Sequence, residues 1–239
     1  PTTLKLECTK NLDLRYGENP HQQAAFYALD GEKGVADMKI LQGKTLSYNN
    51  ILDLDAAWQL VRQFDQPASV IVKHNNPCGV AISDTLANAY QDSYLADTLS
   101  AFGGIVGLNR EVDANTATQI KTLFLEVIVA PGFSAEALQI LSEKPNLRLV
   151  STVGIESTKP KTIYRYVQGG FLAQTVDDQR QAPDTWETVT TQPVDSRLLP
   201  DLILANEVVR AVKSNAIIIV KNGKTIGIGA GQMSRVEAV

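Results

Sequence analysis

The stretch Ala68-Ser69-Val70-Ile71-Val72-Lys73, followed at once by His74-Asn75-Asn76-Pro77-Cys78-Gly79, decides how this chain is read. Its first half is a short apolar run rich in β-branched residues, bounded by polar ones, and predicts a buried strand. Its second half is polar and predicts a loop, with Pro77 and Gly79 fixing a tight turn. On the amino side, Ile51, Leu54, Trp58, Leu60 and Val61 recur at helical spacing behind Asn49-Asn50, a cap pair, and that helix ends before Asp65-Gln66-Pro67. On the carboxyl side a helix is predicted over 85–94 and a strand over 104–108. Asp113 caps a helix through Phe124, and Val127–Ala130 is a strand stopped by Pro131-Gly132. Ser134 caps a helix to Leu141, and Arg148–Val150 is a further strand. Strand and helix alternate, so the fold class is α/β, with helices on the faces of a sheet.

Beyond Val153 the composition changes. Residues 154–162 and 174–196 are polar and carry Pro160, Pro183 and Pro193; they read as connections around the strand-like 169–172. A long amphipathic helix is predicted over 200–213, with Pro200 at its start. Asn222-Gly223 lies between the β-rich runs 216–220 and 225–228 and is the strongest hairpin signal, since a two-residue turn of this type needs φ > 0 twice. No internal repeat and no low-complexity segment is read.

Composition excludes whole classes. The 239 residues carry 22 Lys+Arg against 26 Asp+Glu, a net charge of −4, and 44% are hydrophobic. This is a globular composition, not a disordered one. Without a basic stripe, no nucleic-acid partner is expected. No apolar run reaches the ~18–20 residues that span a bilayer, so no membrane partner is expected either. Two cysteines, Cys8 and Cys78, cannot build a disulfide framework or a Cys₄ zinc site, and a reducing, cytoplasmic location is the expectation. The length suits one large domain or two small ones.

Four motifs carry polar chemistry. Lys73-His74 sits at a strand end, where α/β proteins place their sites; a shared pocket would favour the neutral imidazole that a general base needs. Pro77-Cys78 matches half of a zinc-deaminase signature, but Ala81 stands where its second cysteine belongs, so no metal is expected and Cys78 is read as a packing residue. Leu14-Arg15-Tyr16-Gly17-Glu18-Asn19-Pro20-His21-Gln22 offers an Arg for a phosphate and a Tyr to stack. Gly227-Ile228-Gly229-Ala230-Gly231, close to Arg235, lets backbone approach a ligand but fits no phosphate-loop spacing. Ser100-Ala101-Phe102-Gly103-Gly104 could admit a flat ring. The residues alone thus predict an α/β protein that binds a phosphorylated small molecule, with His74 as its base.

Taken in order, LRYGENPHQ, VKHNNPCG, SAFGGIVGLNREVD, EVIVAPGF and SNAIIIVKNGKTIGIGAGQMSRV resemble the transformylase domain of the AICAR transformylase/IMP cyclohydrolase family of purine biosynthesis, from Leu14 to Val236. The resemblance implies a fold of two tandem cytidine-deaminase-like lobes, each three-layer α/β/α, without catalytic zinc. Residues 1–155 then form the first lobe and 156–239 the amino-terminal part of an incomplete second lobe, while the family's IMP cyclohydrolase domain is absent. The implied reaction moves a formyl group from the cosubstrate 10-formyltetrahydrofolate to the 5-amine of AICAR. The resemblance makes His74 the general base, Lys73 its helper and Asn215 an active-site amide. It makes Arg15, Tyr16, Gly103, Glu126 and Arg235 contacts to AICAR, and Val236 a folate contact. It further implies a homodimer with shared sites. Because the family continues past Val236 into a segment that supplies much of the folate pocket, the expectation is little or no activity for this chain. The alternative is a non-catalytic AICAR-binding or dimerisation module.

Overall fold

A computed structural model describes residues 2–155 and 162–239. The expected connection over 154–162 therefore falls largely outside the described residues, as do Pro160 and the expected lobe boundary. The chain opens with an antiparallel hairpin, β1 (Cys8–Leu14) and β2 (Ala24–Leu29), then β3 (Lys39–Gln42) and α1 (Tyr48–Val61). There follow β4 (Ala68–Lys73), β5 (Asn76–Ile82), α2 (Leu86–Ala96), β6 (Ile105–Leu108), α3 (Ala114–Ile120), β7 (Val127–Ala130), α4 (Ala135–Leu141) and β8 (Arg148–Ser151). A separate ribbon, β9 (Thr162–Val167) and β10 (Gly170–Thr175), precedes α5 (Leu199–Arg210), β11 (Ile217–Lys221) and β12 (Lys224–Gly229).

Eight strands form one mixed sheet in the order β11-β12-β5-β4-β6-β7-β8-β3, with β6, β7 and β8 parallel. The period-2 geometry of strands divides their apolar residues between two cores. Val70 and Val72 of β4 and Val127 and Val129 of β7 pack with Leu54 and Leu60 of α1 and Leu204 and Val208 of α5. Ile71 and Ile128, their neighbours in sequence, face the other way, onto Tyr90 of α2, Ile120 of α3 and Leu141 of α4. The architecture is thus three-layer α/β/α, and each fully buried aliphatic side chain contributes about 1.5–3 kcal/mol. β12 joins the sheet through β5: the Gly223 carbonyl accepts the Ile82 N–H at 2.9 Å, and Thr225 Oγ1 accepts the Val80 N–H at 3.0 Å. One sheet therefore takes strands from both sides of residue 155.

Three local readings need correction, the shortest being that α3 ends at Ile120 and not at Phe124. The segment after Lys73 is not a loop. Its turn is His74-Asn75, both at positive φ (53° and 63°), and β5 begins at Asn76. Pro77 fits in that strand because the register slips opposite Val72. Gly79 is there because α2 lies against β5: a Cβ at this position would sit 1.9 Å from the Ser93 carbonyl oxygen. The cap of α1 is Ser47, not Asn49-Asn50. Ser47 Oγ accepts the Asn50 N–H at 3.2 Å, and Asn50 Oδ1 accepts the Ser47 N–H at 3.1 Å, a capping box.

The structure also exposes an internal repeat that was not read from the sequence. Adding 148 to any number from Asp53 to Gly79 pairs α1-β4-β5 with α5-β11-β12. Asp53 meets Asp201, Ala57 meets Ala205, Arg62 meets Arg210, Lys73 meets Lys221 and Gly79 meets Gly227. Both copies are a helix, a strand, a two-residue turn and a strand, and in both the helical aspartate grips the turn. Asp53 accepts the N–H groups of His74 (3.2 Å) and Asn75 (2.7 Å); Asp201 accepts those of Asn222 (2.8 Å) and Gly223 (2.7 Å).

Candidate functional site

β4 runs antiparallel to β6, with Val72 opposite Ile105, so the end of β4 lies beside the amino ends of β6, β7 and β8. That end of the sheet collects Lys73, His74, Gly103, Glu126 and Arg148.

Lys73 and His74 line a cavity of about 520 Å³ with Asn76, Cys78, Asp97 and Ser100. His74 is exposed and Lys73 half-buried. The Lys73 ammonium donates to the Phe102 carbonyl at 2.6 Å, which ties β4 to the Ser100–Gly104 turn. Burial opposes ionisation of Asp97, but hydrogen bonds from Ser100 and Leu99 and the nearby Lys73 charge outweigh it and hold the carboxyl below its usual range. Burial, with the Asp97 charge second, pushes the Cys78 thiol up to about 12. A thiol so protonated is no nucleophile at neutral pH, in keeping with a packing role.

A second cavity, of about 390 Å³, is lined by Arg15, Lys44, Phe124, Glu126 and Arg148 among others. Arg148 is 3% exposed, and its guanidinium reaches the Glu126 carboxylate at 2.5 Å and the Lys44 and Thr45 carbonyls at 3.1 Å each. Glu126 is thereby fixed at the cavity wall with its outer face in solvent. The Arg15 guanidinium lies 4.9 Å from the centre of the Tyr16 ring, a cation–π contact. Tyr16 is anchored in turn, since its carbonyl accepts the Tyr48 N–H at 3.1 Å.

Gly103, at φ 72°, joins the surroundings of the two cavities. Its N–H donates to the Phe124 carbonyl at 2.8 Å, and the Phe102 and Phe124 rings meet at 5.2 Å. Thus Lys73 and His74 share one cavity, and Arg15 and Glu126 share the other. Tyr16, Gly103, Asn215, Arg235 and Val236 line neither. Asn215 follows a cis Ser214–Asn215 peptide bond, and its Nδ2 donates to the Gln232 carbonyl at 3.0 Å; Arg235 and Val236 are exposed on the turn beyond β12. Among the described residues, no three His, Cys, Asp or Glu side chains gather as a metal ion would require.

Sequence reasoning missed Arg148 and Asp53. A charged residue leading the otherwise apolar Arg148–Ser151 strand was a usable signal for the first. The equal 21-residue spacing from Asp53 to His74 and from Asp201 to Asn222 was one for the second.

Comparison with known proteins supplies the wider frame. The family model described as AICARFT/IMPCHase bienzyme matches residues 1–239. The chain is 52% identical over 231 residues to the bifunctional purine biosynthesis protein PurH of Roseobacter denitrificans, covering 94% of this chain and 44% of that protein. It is 49% identical over 237 residues to the protein of the same name from Synechocystis, covering 98% and 46%. For Desulfitobacterium hafniense the match is 48% over 242 residues, covering 100% and 46%. The chain thus spans a little under half the length of the curated relatives it matches. No helix among the described residues is long and apolar enough to cross a membrane. With a family model matched over its full length, this chain belongs to the AICARFT/IMPCHase bienzyme family.

Proposed function

We propose that this chain carries the AICAR-binding and proton-transfer portion of a folate-dependent formyltransferase of purine biosynthesis, within a cytoplasmic, homodimeric, bifunctional enzyme. The observation that carries this reading is the Lys73-His74 pair on a fixed turn at a cavity mouth, next to a second cavity bearing Arg15 and Glu126, in a member of this family.

The chemistry asks for these groups. The AICAR amine is a weak nucleophile, because its lone pair is delocalised into the ring. As its nitrogen bonds to the formyl carbon of 10-formyltetrahydrofolate, His74 removes the amine proton. The carbonyl oxygen becomes an oxyanion, which Lys73 stabilises. The oxyanion then collapses, the carbon–N10 bond breaks, and N10 takes a proton from the His74 imidazolium, which restores the base and leaves formyl-AICAR and tetrahydrofolate. Arg15, stacked on Tyr16, and Arg235 bind the phosphate, Glu126 the ribose hydroxyls, and the Gly103 backbone the base. Asn215 holds the amide end of the substrate, and Val236 borders the folate. No resident metal is needed in this scheme.

The two-lobe division, 1–155 and 156–239, is supported by the repeat of α1-β4-β5 in α5-β11-β12, which makes the second copy the start of a second lobe. In this reading β11 offers its open edge as β4 offers its own to β6. A second reading, an AICAR-binding or dimerisation module without turnover of its own, is favoured by two features. Asn215, Arg235 and Val236 line neither cavity, and the β9–β10 ribbon keeps Tyr166 and Phe171 in solvent at 68% and 57% exposure. We expect this chain alone to bind AICAR, to bind folate poorly and to transfer little or no formyl group; robust formylation by the purified chain would overturn that. In a full-length relative carrying residues 1–239 of this chain, His74→Ala should cut turnover by about 10²–10⁴-fold with little change in AICAR affinity. Equal losses in both would remove His74 as the base.

A further inference from the structure

We propose that Asp53 is the positioning residue of this site: its carboxylate clamps the His74-Asn75 turn and so sets where the His74 imidazole stands relative to Lys73 and the cavity. The inference rests on the reading of His74 as the base.

Among the described residues only His74, Asn75 and Asn222 are non-glycine residues at positive φ. All three lie in the two turns gripped by an aspartate. The grips agree atom for atom: Oδ2 accepts the first N–H of each turn and Oδ1 the second. The turns differ in what they need. Asn222-Gly223 is the pair that closes such a turn unaided, since both residues tolerate left-handed backbone. His74-Asn75 has no glycine: both of its residues, at φ 53° and 63°, carry a Cβ into the left-handed region and bear its steric cost. In the second copy the aspartate adds to a turn that forms anyway; in the first it holds one that would relax. Relaxation to negative φ would redirect the Cα–Cβ bond of His74 and carry the ring away from the Lys73 side of the cavity. A turn that places no reacting group would not require this histidine in a left-handed conformation. Asp53 comes from the second turn of α1, which is seated in the core by Leu54 and Ala57, so the clamp is anchored on a rigid element.

The test compares the two copies in a full-length relative carrying residues 1–239 of this chain. Asp53→Ala is expected to lower kcat about 10- to 100-fold, the usual cost of an ångström-scale displacement, with KM for AICAR within about threefold. Asp53→Asn, which keeps one acceptor but sets an NH2 donor against the other N–H, should recover only part of that loss. Asn75→Gly in the Asp53→Ala background should recover part of it by easing the second turn position. Asp201→Ala, the same cut in the copy that carries Asn222 instead of a histidine, should leave kcat within about twofold. On the 239-residue chain itself, hydrogen exchange of the His74 and Asn75 amides should accelerate in Asp53→Ala and not in Asp201→Ala. The clamp is refuted if Asp53→Ala keeps wild-type kcat while His74→Ala loses it, or if Asp53→Ala and Asp201→Ala lower kcat equally. If His74→Ala itself keeps kcat, the base assignment fails, and the amide exchange still reports whether the clamp exists.

Discussion

Replacing Arg148 by Met should destabilise this chain by about 3–5 kcal/mol, the summed cost of removing a buried guanidinium's hydrogen bonds to two carbonyls and a carboxylate. The structure gives that figure its content. The Arg148 side chain is 4% exposed and the Glu126 side chain 36%, so the loss falls on the buried side of the pair. Methionine fills the volume but donates nothing. It abandons the Lys44 and Thr45 carbonyls, both bonded at 3.1 Å, and the Glu126 carboxylate. A net hydrogen bond contributes about 0.5–1.5 kcal/mol and a charged one about 1.5–3, which together reach that range. Glu126→Gln keeps an acceptor and has a solvent-facing side, so about 1–2 kcal/mol is expected. Arg148→Lys keeps the charge but not the fork, and should fall between the two. Urea unfolding of the 239-residue chain at 25 °C, followed by circular dichroism, reads the differences as midpoint shifts at constant slope. A cost below about 1 kcal/mol for Arg148→Met, with unchanged slope, would refute the claim that this guanidinium fastens the β3–α1 approach to β7 and β8.

Three further outcomes follow from local geometry. Gly79→Ala should cost about 2–3 kcal/mol or more by overpacking, because the new Cβ meets Ser93 backbone, whereas Gly34→Ala, with nothing within 4 Å, should be near neutral in the same urea series. Iodoacetamide at pH 8 should label exposed Cys8 readily and Cys78 only on unfolding, since burial pushes the Cys78 thiol up to about 12; equal labelling by mass spectrometry would contradict this. Hydrogen bonds from Thr116 hold the Asp113 carboxyl below its usual range, so its stabilisation is complete above the ordinary carboxylate range and is lost as pH falls through the depressed value. Asp113→Ala should therefore cost about 1 kcal/mol at pH 7 and progressively less toward pH 2.5; a cost that stays constant with pH would count against the cap.

Much of the fold was legible because local rules governed it. The strands 68–73 and 127–130 are short apolar runs between breakers, and Asp113 and Ser134 do cap α3 and α4 as read, with Thr116 and Ala137 N–H groups donating to them. β5 was misread because its composition is that of a turn; Pro77 and Gly79 are explained only by a register slip and a packed helix, neither of which is local. β1 and β9 are mostly exposed and β2 only half-buried, so burial left little imprint on their sequences. α3 ends at Ile120 rather than Phe124, because Phe124 turns to meet Phe102. At the site, Lys73-His74 announced itself by adjacency. Glu126 with Arg148, and Asp53 with His74, are partners about twenty residues apart, brought together by the sheet. The repeat is faint in the sequence because its two copies share only scattered residues; the equal 21-residue spacing from aspartate to turn gains its meaning only from the grip seen in three dimensions.

We propose AICAR binding at the end of the sheet marked by Arg15, Glu126 and the Lys73-His74 turn. Calorimetric titration of AICAR into the purified 239-residue chain tests it most directly, run beside Arg15→Ala and Glu126→Gln. Saturable binding that each substitution weakens at least several-fold is expected. Absence of binding up to millimolar AICAR, or binding that both substitutions leave unchanged, would contradict it.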